Sequence, residues 1–141
     1  MVIIILYELL KLNRELIHKT VKKVKRNNFM TKDYKEITTE ISTSLSKMRK
    51  EIPDVMNGFN ALAQAATKDR ALSKKTKELI ALALGVASHC DGCIGFHTQS
   101  LIKLGVTREE FLETLSMAIY MGGGPSLMYA AEALKAFEDL G

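Results

Sequence analysis

The sequence predicts an all-α protein, and three observations carry this prediction. After residue 30, apolar residues recur every three to four positions, and no stretch alternates with the period of a strand. Helix-capping residues, glycines and prolines separate the apolar segments. In a chain of 141 residues, a hydrophobic share of 47% is enough to build an ordinary core. We therefore expect a compact helical domain of about six helices over residues 30–141, preceded by an N-terminal extension over residues 1–29.

The first two predicted helices lie before the cysteine-containing part of the chain. The first covers residues near 33–50, and its apolar residues are about four positions apart. These residues are Ile37, Ile41, Leu45 and Met48. Pro53 then stands at a favourable first position for a short Ala-rich helix that ends near Thr67.

A central antiparallel pair of helices is expected next. Ser73 is a good cap for the first member, which is almost wholly apolar from Leu79 to Ala87, as is typical of a helix buried on all sides. Asp91-Gly92 interrupts the chain, and the second member runs from about Cys93 to Leu104 before Gly105 ends it. The interruption lets the two helices fold back on each other.

Two further helices complete the predicted domain. Thr107 and Glu110 form a capping-box pattern ahead of an apolar helix. The run Gly122-Gly123-Gly124 breaks the chain, and Pro125 begins the last helix. Three methionines in this region are interpreted as core residues: Met117, Met121 and Met128.

The excess of positive charge lies in the N-terminal extension. Residues 1–29 contain seven Lys and Arg against two Glu, whereas residues 30–141 contain thirteen basic residues against fourteen acidic ones. The domain therefore lacks the basic face that nucleic-acid binding requires. The extension is amphipathic from Leu6 to Val24, which favours packing on the domain or on another subunit. Peripheral membrane binding by a basic amphipathic helix is the alternative.

The chain shows no pattern typical of a membrane span or of an export signal. The apolar run Val2–Leu6 is far shorter than the roughly 20 residues that cross a bilayer. No positive residue precedes this run, and no small-residue cleavage site follows it. We therefore expect a cytoplasmic protein. In that reducing compartment, cysteine pairs are usually catalytic or metal-binding.

Cys90 and Cys93 are the two cysteines of the chain. A bridge between residues so close together constrains the unfolded chain very little, so a purely stabilising role is disfavoured. Residues at i and i+3 share a helical face and can approach closely enough to bridge. Cys93 should lie in the first turn of its helix, where the helix dipole lowers the pKa of a thiol. His97 is one turn further on the same face and can take or return the thiol proton.

Glu78 is the candidate partner of His97. If the two central helices form an antiparallel hairpin, position 97 lies about one turn from Glu78, and the carboxylate can orient the imidazole. The resulting Glu–His–Cys arrangement is typical of nucleophilic catalysis. In the simpler interpretations, Glu78 only complements the dipole of its helix, and His97 is an ordinary interior or surface histidine.

Other chemistries fit the pattern less well. A zinc site would use His89, Cys90, Cys93 and His97, but adjacent helical residues diverge and structural zinc sites usually draw on two separated pairs. Haem attachment needs a histidine directly after the second cysteine, where Ile94 stands. A thioredoxin-type protein needs a βαβ frame, which the sequence does not offer. No flavin, nicotinamide or phosphate-binding loop is recognisable, so no cofactor is expected.

The pattern of Glu78, eleven intervening residues and then Cys90-x2-Cys93-x3-His97 resembles the signature of the alkylhydroperoxidase D-like branch of the carboxymuconolactone decarboxylase family. The resemblance covers residues from about 53 to 140. It implies an all-α fold, assembly into trimers or hexamers, and peroxide reduction by the cysteine pair. It also implies that Cys93 attacks, that Cys90 resolves, and that Glu78 and His97 belong to a proton relay. Some members carry a second histidine between the cysteines, where this chain has Asp91-Gly92.

These expectations lead to a thiol-dependent peroxidase as the main hypothesis. Its substrate would be a hydroperoxide, and an external dithiol or protein reductant would regenerate the thiols. Three alternatives stay open. These are a general disulfide oxidoreductase, a decarboxylase of the same family, and a non-enzymatic helical oligomer that binds zinc or senses oxidation.

Overall fold

The structure is a computed structural model that describes residues 32–141 and contains five α-helices there. These are α1 (Tyr34–Glu51), α2 (Pro53–Thr67), α3 (Lys74–Ala87), α4 (Asp91–Lys103) and α5 (Arg108–Leu140). No strand occurs among these residues, so the all-α prediction is confirmed. The predicted extension over residues 1–29 and the boundary at residue 30 lie outside the described residues.

Side-chain caps fix where three of the helices begin. Asp33 caps α1 by accepting the backbone N–H groups of residues 35 and 36 at 2.9 and 3.1 Å. Ser73 accepts the N–H of residue 76 at 3.1 Å and so caps α3. Thr107 and Glu110 form the predicted capping box of α5, since the side chain of each accepts the backbone N–H of the other. Each cap of this kind stabilises its helix by about 1 kcal/mol.

A kink in α5 accounts for the difference between about six predicted helices and the five observed. Gly123 has φ 67° and ψ −153°, and it is the single non-helical residue within α5. A side chain would disfavour this backbone conformation strongly, but glycine adopts it readily. Pro125 follows, and its ring cannot donate to the preceding turn. The predicted break is therefore present, but helical structure resumes at once and no loop separates two helices.

The core lies where α3, α4 and α5 pack together, and α1 closes one side of it. The helices α3 and α4 form the predicted central hairpin. Its fully buried side chains include Leu82, Val86, Ile94 and Leu101, while Tyr34 of α1 is also fully buried. None of the five helices is both long enough and apolar enough to cross a membrane.

The interpretation of three methionines as core residues is wrong. Met117, Met121 and Met128 are 58%, 76% and 59% exposed. On α5, Phe111 and Leu115 face the core, and the methionines lie on another side of the same helix. Apolar residues surround much of α5, but the neighbouring helices cover only one of its sides. The periodicity of the sequence could not indicate which one.

The helix α3 is also less enclosed than its composition suggests. Ile80 and Leu84 remain 46% and 64% exposed, although Leu82 and Val86 are fully buried. The expectation of burial on all sides is therefore wrong for the single chain. An all-apolar helix needs neighbours all round it, and α4 and α5 occupy only part of that circumference.

Candidate thiol site

The candidate site is built on the turn that joins α3 to α4. Only Ser88, His89 and Cys90 separate the two helices. His89 has φ 56°, the left-handed conformation that a non-glycine residue adopts at some cost. The N–H of Cys90 then donates to the carbonyl of Gly85 at 3.0 Å, and the chain has reversed direction. The hairpin thus delivers both cysteines to one end of α4.

Cys90 and Cys93 form a disulfide with 5.3 Å between their Cα atoms. Cys90 is the N-cap residue of α4, and its sulfur accepts the backbone N–H of Cys93 at 3.2 Å. Cys93 therefore lies in the first helical turn, as predicted. In the reduced protein, the free N–H groups and the dipole at this end favour a thiolate. Both residues are half-buried, so a small reactant can reach them.

The structure brings Glu78 and His97 together across the hairpin. His97 Nδ1 lies 2.7 Å from Glu78 Oε2, in the arrangement that an antiparallel α3–α4 pair predicts. The Glu78 side chain is 7% exposed, whereas that of His97 is 32% exposed. A carboxylate can only accept, so Nδ1 carries the proton of the neutral imidazole and Nε2 is left as the acceptor. Glu78 thereby fixes both the tautomer and the orientation of His97.

Three glycines allow the helices to approach closely around the cysteines. A Cβ atom at Gly85 would lie 3.0 Å from Cβ of Cys93, so α3 and α4 nearly touch at that level. A Cβ atom at Gly95 would lie 2.6 Å from a methyl carbon of Thr38 in α1. The first turns of α4 are therefore held between α3 and α1 with no room for larger side chains.

The third glycine lies between the two cysteines and packs against α1. A Cβ atom at Gly92 would lie 2.9 Å from Cδ1 of Ile41 in α1. Ile41 therefore occupies the space into which a side chain at position 92 would project. The sequence alone could not show this contact, because the two residues lie in helices that only the fold brings together.

A polar cluster beside the turn was missing from the predictions. Lys32 Nζ binds Asp91 Oδ1 at 2.6 Å, and the same ammonium lies 4.6 Å from the ring centroid of Tyr129. Tyr129 in turn stacks on His89, with 4.5 Å between the ring centroids. The residues share no local motif, since Lys32 and Asp91 are 59 positions apart. The only signal in the sequence is the charge of Asp91 between the cysteines.

Two buried polar atoms belong to the same region. The hydroxyl of Tyr34 is buried near the carboxylate of Asp91 without a hydrogen bond of good geometry, and Oε2 of Glu132 has no hydrogen-bond partner among residues 32–141. Burial raises the pKa of Tyr34 strongly, and the negative charges of Asp91 and Glu132 raise it further. Burial of Lys32 acts to lower its pKa. The hydrogen bond to Asp91 and the nearby negative charges outweigh burial, so the pKa of Lys32 is raised. Tyr34 is thus kept neutral and Lys32 is kept charged.

The two histidines of the zinc alternative have separate surroundings, and its two cysteines are bonded to each other. His97 contacts Glu78, while His89 stacks on Tyr129. Within residues 32–141, no three His, Cys, Asp or Glu side chains are arranged as a metal-binding group. A groove of about 610 Å³ lies between α1 and Gln99 of α4, but hydroxyl side chains such as Thr39 and Ser42 line it. None of the four candidate thiol-site residues does so.

The fold and the site together define a class: a helical protein whose CxxC pair lies at the turn of a central hairpin, next to a Glu–His pair. The comparison with known families agrees. Residues 53–136 match the carboxymuconolactone decarboxylase family, a range close to the one that the motif indicated. The chain belongs to this family.

Similar proteins come from several bacteria. An uncharacterized protein of Cupriavidus necator is 42% identical over 111 residues, which cover 79% of this chain and 98% of the relative. One of Haemophilus influenzae is 34% identical over 108 residues, covering 77% and 96%. The crystal structure of a carboxymuconolactone decarboxylase family protein from Legionella pneumophila matches with a TM-score of 0.76 and 67% identity. That match covers 78% of this chain and 98% of the other.

Proposed function

We propose that this protein is a thiol-dependent peroxidase that reduces hydroperoxides in the cytoplasm through Cys90 and Cys93. One observation carries the proposal: the Cys90–Cys93 disulfide forms at the start of α4, one helical turn before a histidine oriented by Glu78. This arrangement combines a nucleophile, a second thiol to trap its oxidised form, and a base. Family membership supports an enzyme of this general kind.

The first step uses the Cys93 thiolate. Its sulfur attacks the terminal oxygen of the hydroperoxide, the O–O bond breaks, and Cys93 becomes a sulfenic acid while an alcohol leaves. His97 takes the thiol proton on Nε2, because Nδ1 is already held by Glu78. The same proton can then pass to the departing oxygen. Glu78 stabilises the imidazolium that exists between these two transfers.

The second step uses Cys90. Its sulfur attacks the sulfenic acid of Cys93, a disulfide forms, and water is released. The Cα–Cα distance of 5.3 Å in the oxidised pair lies in the usual range for a disulfide, so the first turn of α4 accommodates the bond. An external dithiol then attacks the bridge, takes over the disulfide and restores both thiols. The net reaction converts one hydroperoxide and one dithiol to an alcohol, water and a disulfide.

A peroxide-consumption assay tests this function. The purified protein is given hydrogen peroxide or cumene hydroperoxide with dithiothreitol, dihydrolipoamide or a thioredoxin system as the reductant. We expect turnover with at least one dithiol, and none in Cys93→Ser, because a serine hydroxyl is far too basic to replace the thiolate. Cys90→Ser should react once, and mass spectrometry should then find added oxygen on Cys93. Exchange with disulfide substrates but no peroxide consumption would instead establish a general disulfide oxidoreductase.

We also propose that the protein works as a homo-oligomer, a trimer or a hexamer as the family resemblance implies. Support comes from large apolar side chains that no other described residue covers. On α2, Val55, Phe59 and Leu62 are 66%, 65% and 65% exposed, and on α5 Tyr120 is 78% exposed. Monomeric proteins rarely expose so many large apolar groups. Light scattering coupled to gel filtration gives the mass directly, and a monomer at micromolar concentration would refute this part of the proposal.

A further inference from the structure

The ion pair of Lys32 and Asp91 lies at the cysteine turn, but it has no part in the peroxidase steps above. Asp91 is the first residue of α4 and stands between the two cysteines in the sequence. Asp91 and Cys93 are the first and third residues of α4, so their Cα atoms are roughly 5–6 Å apart. The two side chains point to different sides of the helix, but the carboxylate stays within reach of a charge effect through a Debye length of about 8 Å. A like charge near a thiolate disfavours it and raises the thiol pKa. Lys32 binds this carboxylate at 2.6 Å and offsets its charge.

Aromatic groups hold Lys32 in this position. The Tyr129 ring lies 4.6 Å below its ammonium, a cation–π arrangement, and His89 stacks on Tyr129. The contact therefore links the segment before α1, the cysteine turn and α5. The side chains of Lys32 and Asp91 are 33% and 36% exposed, so solvent screens the pair only in part.

Besides His89 of the turn and His97 of α4, the other helices place several charged and titratable groups around the cysteines. Glu132 and Tyr129 of α5 and Tyr34 of α1 act on Lys32 and Asp91 from the interior side. Glu78 of α3 faces His97 across the hairpin. Tyr34 is neutral, Glu78 is paired, and Glu132 lies on a different helix from the cysteines. The charge of Asp91 is thus the one that lies in the same helical turn as Cys93, and Lys32 is its partner.

We propose that Lys32 and Asp91 form a charge pair that sets the reactivity of Cys93, with Lys32 acting as a positioning residue that neutralises Asp91 beside the thiolate. The inference rests on the proposed function in one respect, namely that Cys93 is the attacking thiol. It goes beyond that function because it gives a role to a residue outside the matched family region and to the unusual residue between the cysteines.

The charge pair predicts that removing either charge shifts the pKa of Cys93, and that the two shifts have opposite signs. In Lys32→Gln, Asp91 is left uncompensated, so the pKa of Cys93 rises. In Asp91→Asn, the ammonium of Lys32 is left without its partner, so the pKa of Cys93 falls. In the double variant both charges are absent, and the pKa returns close to that of the parent. A clamp that merely held the turn in shape would be damaged by either change, and both single variants would then shift in the same direction.

The experiment measures the rate of alkylation by iodoacetamide against pH, in a Cys90→Ser background that leaves Cys93 as the single thiol. We expect the apparent pKa of Cys93 to rise by about half a unit to one unit in Lys32→Gln, with a roughly threefold to tenfold slower reaction below the pKa. Asp91→Asn should shift it by a similar amount downward, and the double variant should lie near the parent. Lys32→Arg keeps the charge and should also behave like the parent.

A matched control comes from a second ion pair. Lys75 binds Glu110 at 2.7 Å with side chains 35% and 36% exposed, and it lies in the first turn of α3, at the end away from the cysteines. Lys75→Gln should therefore leave the pKa of Cys93 unchanged. Circular dichroism on every variant shows whether it is folded. If Lys32→Gln is not, Asp91→Asn still tests the proposal, because an unchanged or raised pKa of Cys93 in that variant overturns it.

The possible outcomes separate the two proposals. Shifts of opposite sign that cancel in the double variant support the charge pair, even if no peroxide is consumed and the peroxidase proposal fails. Shifts of the same sign, or a pKa that no variant moves, overturn the charge pair and leave the peroxidase proposal standing. If Lys32→Arg is also shifted as far as Lys32→Gln, charge is not the cause and the inference fails.

Discussion

The α3–α4 hairpin and the helix α2 differ sharply in how the chain supports them. The hairpin is packed by α5 and α1, its core side chains are fully buried, and its glycines allow close contacts beside the cysteines. In α2, Met56 is the single buried residue, and three large apolar side chains are about two-thirds exposed. The described residues of one chain thus enclose the hairpin that carries the candidate site, whereas they leave an apolar side of α2 uncovered.

A pair of identical substitutions gives the largest expected effect and tests this comparison directly. Leu82 in α3 is fully buried and Leu62 in α2 is 65% exposed. Leu82→Ala should lower the free energy of unfolding by about 2–5 kcal/mol, because it leaves a cavity in the core. Leu62→Ala should change it by less than about 0.5 kcal/mol when the chain is a monomer.

Urea denaturation over a range of protein concentrations measures both effects. If the protein is an oligomer through this side of α2, the effect of Leu62→Ala should grow as assembly becomes more complete. Equal effects of the two substitutions at every concentration would mean that α2 is as well packed as the hairpin, and the comparison would be wrong.

The kink in α5 provides the next largest effect. Gly123→Ala forces a side chain into a backbone conformation that is essentially restricted to glycine, and it should destabilise the protein by about 1–3 kcal/mol. Gly124→Ala is the matched control, because a Cβ atom there meets nothing within 4 Å. That substitution should be neutral or stabilise slightly through higher helix propensity. Thermal unfolding of the two variants separates the cost of backbone strain at position 123 from the cost of adding a methyl group. Similar losses of stability in both variants would contradict the strain at Gly123.

The Glu–His pair of the hairpin can be tested through the rate of thiol alkylation. His97→Gln should slow the reaction of Cys93 at neutral pH by about tenfold, and higher pH should largely restore it, because hydroxide then replaces the missing base. Glu78→Gln should act in the same direction but more weakly, since it removes the orienting partner. An unchanged pH profile in both variants would leave the 2.7 Å contact as a purely structural one.

The smallest expected effect concerns the Lys75–Glu110 pair at the other end of α3. The hydrogen bond from Lys75 lowers the pKa of Glu110, and the backbone N–H of Thr107 lowers it further. Stability from this carboxylate is therefore present above its ordinary pKa and is lost as the pH falls through the lower folded value. Glu110→Gln should flatten the acid side of the stability curve slightly, as measured by thermal unfolding between pH 3 and pH 6. A steeper loss of stability at acid pH in Glu110→Gln would contradict a stabilising contribution from the ionised Glu110 carboxylate.

The sequence predicted those parts of the fold that depend on neighbouring residues. Ser73, Thr107 and Gly105 mark helix ends because caps and left-handed residues act over a few positions. The contact of Glu78 with His97 was also predictable, since a three-residue turn leaves an antiparallel hairpin as the simple outcome. Both predictions needed only the helical period and one break.

Predictions that depended on distant parts of the chain were wrong or missing. The period of 3.6 residues shows that Met121 is on a helix, but the side on which α3 packs is decided by the whole fold. The contact of Lys32 with Asp91 spans 59 positions and has no local pattern. The exposed side of α2 could not be predicted either, because an apolar stripe is the same whether it faces its own core or another molecule.

The contact between Ile41 and Gly92 links substitutions in the CxxC motif to a residue of α1. Ile41 lies outside the matched family region, yet its Cδ1 atom would lie 2.9 Å from a Cβ atom at position 92. A larger residue at 92 would require the end of the Ile41 side chain to move, so the effects of substitutions at the two positions should be coupled.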